Sequence, residues 1–391
     1  MEMMTESEQT TKYGGWASVY VVGLTTFAVV TTEMLPVGLM TAIARAMDVS
    51  VGTAGFIISA PAILAAFFAP VVVAMAGNID RRKILAGLLT VLTVANIASS
   101  IAPSFQWLLA ARVAVGFCMG GIWAVAGGLA PRLAPAQSVG VATAIIFGGV
   151  AAASVMGVPL GAMIGDAAGW RWAFGTMAGF SATVLGLSLL VLPALPVNQS
   201  IGFSKFTAVL KHRLVQLGLI LTLLLVAGHF MAYTFIGPLL RTVSGVAPEW
   251  IAALLFIYGA AGIVGNFLAG TMAAKRLGLT LGSIIIGLSA PILGFAVLGE
   301  TPATAPGLLV LWGLAYGGVS VTLQIWMMKA APSAIEIVTA LFVSIFNIGI
   351  AAGSFLGGLT VDHFDLHANL LFAATLPAFA LLLMFVLQRR D

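Results

Sequence analysis

Charge is the scarcest commodity in this chain. Of 391 residues only 8% are charged, 13 acidic and 17 basic, against about 25% in an ordinary soluble domain. A soluble chain of this length would fold as two or three domains with wet surfaces, and these residues cannot clothe them. Cysteine is equally scarce. Cys118 stands alone, so an intrachain disulfide is excluded. No Gly-x4-Gly-Lys-Ser/Thr loop is present, which argues against ATP as a driving force. No His/Cys/Asp cluster has metal-ligand spacing, so no cofactor is expected. The first sixteen residues lack a basic start and hold Glu2, Glu6 and Glu8, unlike a cleavable signal peptide.

What the chain has instead is apolar length. Hydrophobic residues make up 61% and glycines number 45, a composition suited to helices that approach closely in lipid. A spanning helix needs about 20 apolar residues. Twelve runs qualify: 17–40, 52–76, 84–102, 107–131, 138–164, 171–193, 214–240, 249–273, 279–298, 306–328, 335–359 and 369–388. The expected fold is an all-α membrane protein of twelve transmembrane helices. The most polar interruption, 196–213, holds Asn198, Gln199, Ser200, Lys205, Lys211, His212 and Arg213. It reads as a linker between a six-helix half at 1–195 and another at 214–391.

The formal charge of +4 would suggest nucleic acid in a soluble protein. Here the basic residues sit in short loops and report topology instead. With the N-terminus inside, thirteen Lys and Arg fall on inner segments and three (Arg45, Arg171, Arg241) on outer loops, with Arg112 left inside a helix. That asymmetry follows the positive-inside rule and places both termini in the cytoplasm.

The halves repeat. Thr32-Glu33-Met34-Leu35-Pro36 matches Thr234-Phe235-Ile236-Gly237-Pro238. Gly116, Gly120 and Gly121 match Gly313, Gly317 and Gly318, and the same offset pairs Arg132 with Lys329. Ile145, Gly149, Ala151, Ala152, Ser154 and Gly157 match Ile345, Gly349, Ala351, Ala352, Ser354 and Gly357. Three pairings in order at nearly one offset make a parallel repeat, a plan in which the solute site lies between the halves.

Individual residues carry competing readings. Glu33 is the only acid well inside an apolar run. Intramembrane carboxylates are costly and tend to be functional. It lies about 10 Å from the outer end of its run at 1.5 Å per residue, too deep for easy snorkelling, and Arg112 about 7–8 Å from its own. The two can face each other, or Arg112 can snorkel outward. Burial favours a carboxyl's neutral form and a nearby cation its charged form, a contest that a proton-coupled carrier can exploit. Gly116, Met119, Gly120 and Trp123 continue the Arg112 face at helical spacing, small residues that leave room for a solute. His229, with Tyr233 one turn on, is either a solute or proton group or a histidine bonded to a neighbouring carbonyl. Gln324 and Asn347 are solute ligands or interhelical glue. Trp123 and Trp326 stack on a solute ring or simply pack. Asp80, ahead of Arg81 and Arg82, caps a helix or pairs across an interface. Pro159 between glycines is expected to kink its helix.

Three motifs carry a family resemblance. Gly77-Asn78-Ile79-Asp80-Arg81-Arg82-Lys83, Arg112 followed by Gly116, and Gly157-Val158-Pro159-Leu160-Gly161 with Gly165 resemble the major facilitator superfamily, in particular its twelve-helix drug:proton antiporters. The first loop is one residue shorter before the aspartate than in that family. Thr31-Thr32-Glu33-Met34-Leu35-Pro36-Val37-Gly38-Leu39 and Gly121-Ile122-Trp123-Ala124 are similar to bacterial sugar-efflux and purine-nucleoside-efflux permeases. The resemblance implies a monomeric exporter of the bacterial inner membrane with Glu33 and Arg112 coupling protons. Trp123, His229, Tyr233, Gln324 and Asn347 would then bind solute, and Asp80, Arg81, Arg82, Gly157, Pro159 and Gly161 would gate. The second half departs from the pattern, with Lys275-Arg276 and no aspartate. Expected partners are a small-molecule substrate, protons and the lipid bilayer, not nucleic acid. The alternative within transport is a facilitator or an importer on the same scaffold. From another class, a membrane-embedded enzyme would need a nucleophile and a base at depth, and a sensor would usually carry an added soluble domain.

Overall fold

The computed structural model describes residues 15–75, 79–126, 129–135, 138–196, 204–299 and 301–388. Among them twelve helices are long and apolar enough to cross a membrane, and no strand occurs. Hydrocarbon offers no partner to a backbone N–H or C=O, so a lipid-exposed segment must bond to itself. The spanning helices are α1 (Gly15–Ala46), α2 (Phe56–Met75), α3 (Arg81–Ser100), α4 (Phe105–Ala126), α5 (Val139–Ala168) and α6 (Trp170–Val191). The second set is α7 (Arg213–Tyr233), α8 (Pro248–Ala273), α9 (Lys275–Leu298), α10 (Ala305–Ala330), α11 (Ile335–His363) and α12 (Leu366–Gln388). With an even number of spans, α1 starts and α12 ends on one face, called here the termini face. Large apolar side chains such as Phe67, Phe267 and Leu190 lie exposed on the outside, as lipid contact requires.

Helix ends differ from the apolar runs for local reasons. α1 continues to Ala46, so Glu33 lies thirteen residues from that end rather than seven, deeper than the run implies. The 214–240 run is not one helix. α7 stops at Tyr233, and a short turn at Ile236–Pro238 and a wide turn at Leu239–Val243 follow. Pro238 has no N–H to return to Thr234, so the ladder is interrupted there. The 52–76 run breaks at Gly55, between a single turn at Val51–Ala54 and α2. α8 runs on into α9 with no loop between them, and the kink is at Arg276, in the first turn of α9, where a φ of −138° and a ψ of 66° break the helical path. α3 begins three residues early because the Asp80 side chain accepts from Arg82 N at 2.9 Å and caps it. The 107–131 run ends as a helix at Ala126, with 127 and 128 outside the described residues.

Packing uses the same scheme twice. α1 lies on α5, α2 on α4 and α3 on α6; α7 lies on α11, α8 on α10 and α9 on α12. The two sets meet where α2 lies against α11 and α5 against α8. Glycines make the approaches possible. A Cβ on Gly317 would collide with the Gly262 carbonyl, and one on Gly265 with the Leu314 carbonyl. On α1 and α5, Gly149, Gly161 and Gly165 each admit an α1 residue, respectively Gly23, Leu35 and Leu39.

Backbone cannot yield as a side chain does, so Gly317→Ala should destabilise the fold by about 1–3 kcal/mol, the usual cost of overpacking. Gly186→Ala, where nothing lies within 4 Å, should be within about 0.5 kcal/mol of wild type. Thermal unfolding in detergent of the two variants side by side measures the difference. Equal stability would contradict the close α8–α10 approach.

Candidate functional site

The centre of α1 carries the polar sequence Thr31, Thr32 and Glu33, all buried. Two α5 glycines seat this stretch. A Cβ on Gly157 would come within 3.1 Å of Met34 Cβ, and one on Gly161 within 2.5 Å of the Leu35 carbonyl oxygen. Gly157, which also faces Thr31, and Gly161 therefore seat α1 around Glu33, and α5 runs as one helix through Pro159. Glu33 is 7% exposed and makes no hydrogen bond among the described residues.

Arg112 does not snorkel. It is fully buried. Its Nε donates to the Ile57 carbonyl at 3.3 Å, and its guanidinium lies 5.8 Å from the centre of the Phe174 ring. Its Nη1 and Nη2 are buried with no partner. Glu33 and Arg112 act on each other electrostatically without closing into an ion pair. Thus α1 and α4 bring together one carboxyl and one guanidinium, each with hydrogen-bonding capacity unused. Next to Glu33 in α1, Thr32 Oγ1 accepts from Asn96 of α3 at 3.2 Å, and the same amide donates to Ser181 Oγ of α6 at 3.5 Å. Asn96 was legible as an amide inside the third apolar run.

The glycine face of α4 does not leave room for a solute. A Cβ on Gly116 would collide with the Pro61 carbonyl, and one on Gly120 would stand 2.9 Å from Ala65 O. These glycines seat α4 against α2. Trp123 packs with the apolar core of the first six helices.

In the second set, His229 and Tyr233 of α7 belong to a stack of near-parallel rings. Tyr316 of α10 lies 3.4 Å from the His229 ring centre at 9°, Tyr233 lies 4.9 Å from it at 22°, and Tyr258 of α8 lies 4.7 Å from Tyr233 at 26°. Trp312 of α10 stands edge-on and donates from Nε1 to His229 Nδ1 at 3.1 Å. The histidine is therefore bonded to an indole, not to a backbone carbonyl. Tyr258, Trp312 and Tyr316 were not anticipated. The available signal was the rarity of tyrosine: of five in the chain, three fall in apolar runs of the second half, and all three are in this stack. Glu33 acts electrostatically on Tyr316, which relates the α1 carboxyl to the stack.

The other expected ligands spend their amides elsewhere. Gln324 donates to Thr339 Oγ1 at 2.8 Å, linking α10 to α11, and Asn347 donates to the Val343 carbonyl of its own helix. Trp326 donates to the Leu214 carbonyl at 2.9 Å.

Away from the centre, Asp80 Oδ1 also accepts from Leu195 N at 2.8 Å, and Arg82 Nη2 donates to the Leu189 carbonyl. Together with the Arg81 N to Leu195 O bond, these clasp the α2–α3 loop to the end of α6. At the face opposite the termini, two carboxylates reach across from one set of helices to the other. Asp362, near the end of α11, accepts from Ser50 Oγ, from Gly52 N at 3.0 Å and from Thr53 Oγ1 at 3.3 Å. Asp166, near the end of α5, pairs with Arg241 at 3.1 Å. Phe56 stacks on Phe355 beside the first of these, ring centres 5.6 Å apart. The arrangement is that of two helix sets drawn together at one face, around a buried acid, a buried base and an aromatic wall.

Comparison with known proteins agrees with this architecture. Residues 22–343 match the model of the Major Facilitator Superfamily. The Transcription regulatory protein OpdE of Pseudomonas aeruginosa is 31% identical over 390 residues, covering 98% of this chain and 97% of its own. A bacterial homologue of the human lysosomal transporter Spinster, solved in an inward-facing and unoccupied conformation, superposes with a TM-score of 0.79 at 17% identity, covering 96% of each chain. The nucleoside transporter NupG superposes with a TM-score of 0.76 at 14% identity, covering 94% of this chain and 98% of its own. The chain is a multi-pass membrane protein and belongs to the major facilitator superfamily.

Proposed function

We propose that this chain is a proton-coupled exporter of a small organic solute, acting as a monomer in a bacterial plasma membrane with both termini cytoplasmic. In this reading residues 1–195 and 214–391 are two halves that rock about the centre, and 196–213 links them. The observation that carries it is Glu33: a carboxyl buried mid-membrane, without a hydrogen bond, beside a buried guanidinium with two unpartnered nitrogens. Buried groups of this kind are expensive and need a purpose. When the site opens to the more acidic side, Glu33 takes a proton and its attraction for Arg112 lapses. When it opens to the other side, the proton leaves and the pair re-forms. Each proton crossing 100 mV supplies about 2.3 kcal/mol, a useful drive for solute accumulation. A site with one acid and one base does not favour a highly charged solute, so nucleosides, sugars and amphipathic drugs fit best.

In this cycle the Asp362 and Asp166 contacts hold the outer face shut. Asp362 sits at the amino end of the Val51–Ala54 turn, where backbone N–H groups favour an anion, and Gly52 packs directly on Gly358. The Asp80 clasp supports the inner end of the first half. The name of the Pseudomonas relative suggests a second reading, in which the chain influences transcription. A carrier does so indirectly, by setting the internal level of an inducing solute.

Two outcomes are expected. Asp362→Ala removes three hydrogen bonds from the outer closure, each worth about 0.5–1.5 kcal/mol, and should shift the population several-fold toward the outward-open form. Thiol labelling of single cysteines on each face, in a Cys118→Ser background, should show faster labelling outside and slower labelling inside. Unchanged rates would remove Asp362 from the gate. Glu33→Gln should abolish transport driven by an imposed pH gradient in proteoliposomes, while solute exchange at equal pH persists. Gradient-driven transport at the wild-type rate in that variant would remove Glu33 as the coupling group.

A further inference from the structure

Aromatic neighbours hold the His229 ring in one fixed orientation. Tyr316 covers one face and Tyr233 stacks on it at 4.9 Å. Phe230 meets the ring edge-on with centres 4.9 Å apart. Trp312 Nε1 occupies Nδ1 at 3.1 Å. The remaining nitrogen, Nε2, is buried and has no partner. So is the hydroxyl of Tyr258, two rings along the same stack.

The identity of the Trp312 atom decides the tautomer. An indole N–H donates and never accepts, so Nδ1 must present its lone pair. The single hydrogen of the neutral ring then lies on Nε2. A second proton, on Nδ1, would set N–H against N–H, break the bond to Trp312 and place a charge among apolar rings. The ionisable groups around the imidazole are the phenols of Tyr233 on its own helix, Tyr258 on α8 and Tyr316 on α10. Glu33 of α1 acts on Tyr316 and Arg112 acts on Glu33.

We propose that Trp312 locks His229 as an Nε2–H donor, and that this donor, with the Tyr258 hydroxyl, selects uncharged solutes that carry a hydrogen-bond acceptor beside a flat face. Trp312 is a positioning residue and His229 a specificity-determining one. A buried donor left unpaired costs about 1–3 kcal/mol, and each such group in a native structure calls for an explanation. An acceptor on the solute supplies the missing partner. An ammonium ion does not, because it has no acceptor. A flat ring can extend a stack whose members already lie face to face, 3.4 to 4.9 Å apart with no gap between them for a guest. The inference rests on the reading of this chain as a solute carrier, and it removes His229 from the proton route, leaving that role to Glu33.

The test is nitrogen NMR of histidine-labelled protein in lipid nanodiscs, with His229 assigned by subtracting the spectrum of His229→Asn. In wild type the His229 signals should keep the Nε2–H pattern from mildly acidic to mildly basic pH. In Trp312→Phe, which keeps an aromatic wall but donates nothing, the ring should lose that fixed pattern and exchange between tautomers. A wild-type ring that titrates in this range, or that carries its hydrogen on Nδ1, overturns the lock, and this result stands whether or not Trp312→Phe folds. Pyridine and benzene, nearly identical in shape and differing by one in-plane acceptor, then probe the donor at basic pH. Pyridine should move the Nε2 signal and benzene should not; an equal response, or none to either, overturns the donor assignment. Failure of the carrier reading looks different: gradient-driven transport is absent for every solute while the His229 spectrum is as described.

Discussion

A peptide group in hydrocarbon has no one to bond to but its own chain, and the architecture follows from that constraint. It makes every span a helix and leaves side-chain packing as the main means of holding helices together. Glycine supplies close packing here at matching places in both sets of helices: Gly149 and Gly157 where α5 meets α1, Gly349 and Gly357 where α11 meets α7. Where the helical ladder is broken, something local compensates or explains it. Pro238 ends α7's run, and Ser50 Oγ accepts from Thr53 N at the turn that precedes α2. Thr234 Oγ1, at the α7 break, lies 2.8 Å from Ser354 Oγ on α11.

The same constraint makes the few polar groups at depth informative. A polar group inside a membrane protein either glues helices or does chemistry. Gln324 and Trp326 bond to neighbouring helices, and Asn347 to a carbonyl of its own helix. Asn96 donates to Thr32 and Ser181, while its Oδ1 has no partner. Glu33, the Nη groups of Arg112, His229 Nε2 and Tyr258 Oη are not satisfied. They come from α1, α4, α7 and α8, so the unused capacity is drawn from both sets of helices, as a site between two moving halves would need.

Much of the fold was legible because its signals are local. Apolar run length is read along one segment at a time, and Asp80 sits beside the helix it caps. The repeat of Gly116, Gly120 and Gly121 in Gly313, Gly317 and Gly318 was legible too. What was misread is the face of Gly116 and Gly120, expected to leave room for a solute. Spacing shows that small residues share a face; it does not show what that face meets, and at these two glycines it meets α2. The same limit hid most of the ring stack. His229 and Tyr233 are one turn apart on one helix, whereas Tyr258 and Tyr316 arrive on two others. Asp362 was unreadable for a similar reason, since its partner lies more than three hundred residues away, across the α2–α11 contact. Glu33 was recognised because one buried acid needs no partner to stand out, although its depth was underestimated when α1 was taken to end with its apolar run.

The central claim is that the two helix sets pivot about the region of Glu33, closing one face as the other opens. Distances between paired spin labels test it directly, one pair across the α3–α4 loop and the α9–α10 loop, the other across the α6 end and the start of α7. Lipid nanodiscs at acidic and basic pH supply the two conditions. The account predicts two populations at each face, with one distance lengthening as the other shortens, and loss of the pH response in Glu33→Gln. Distances that stay fixed, or that change in the same sense at both faces, would contradict it.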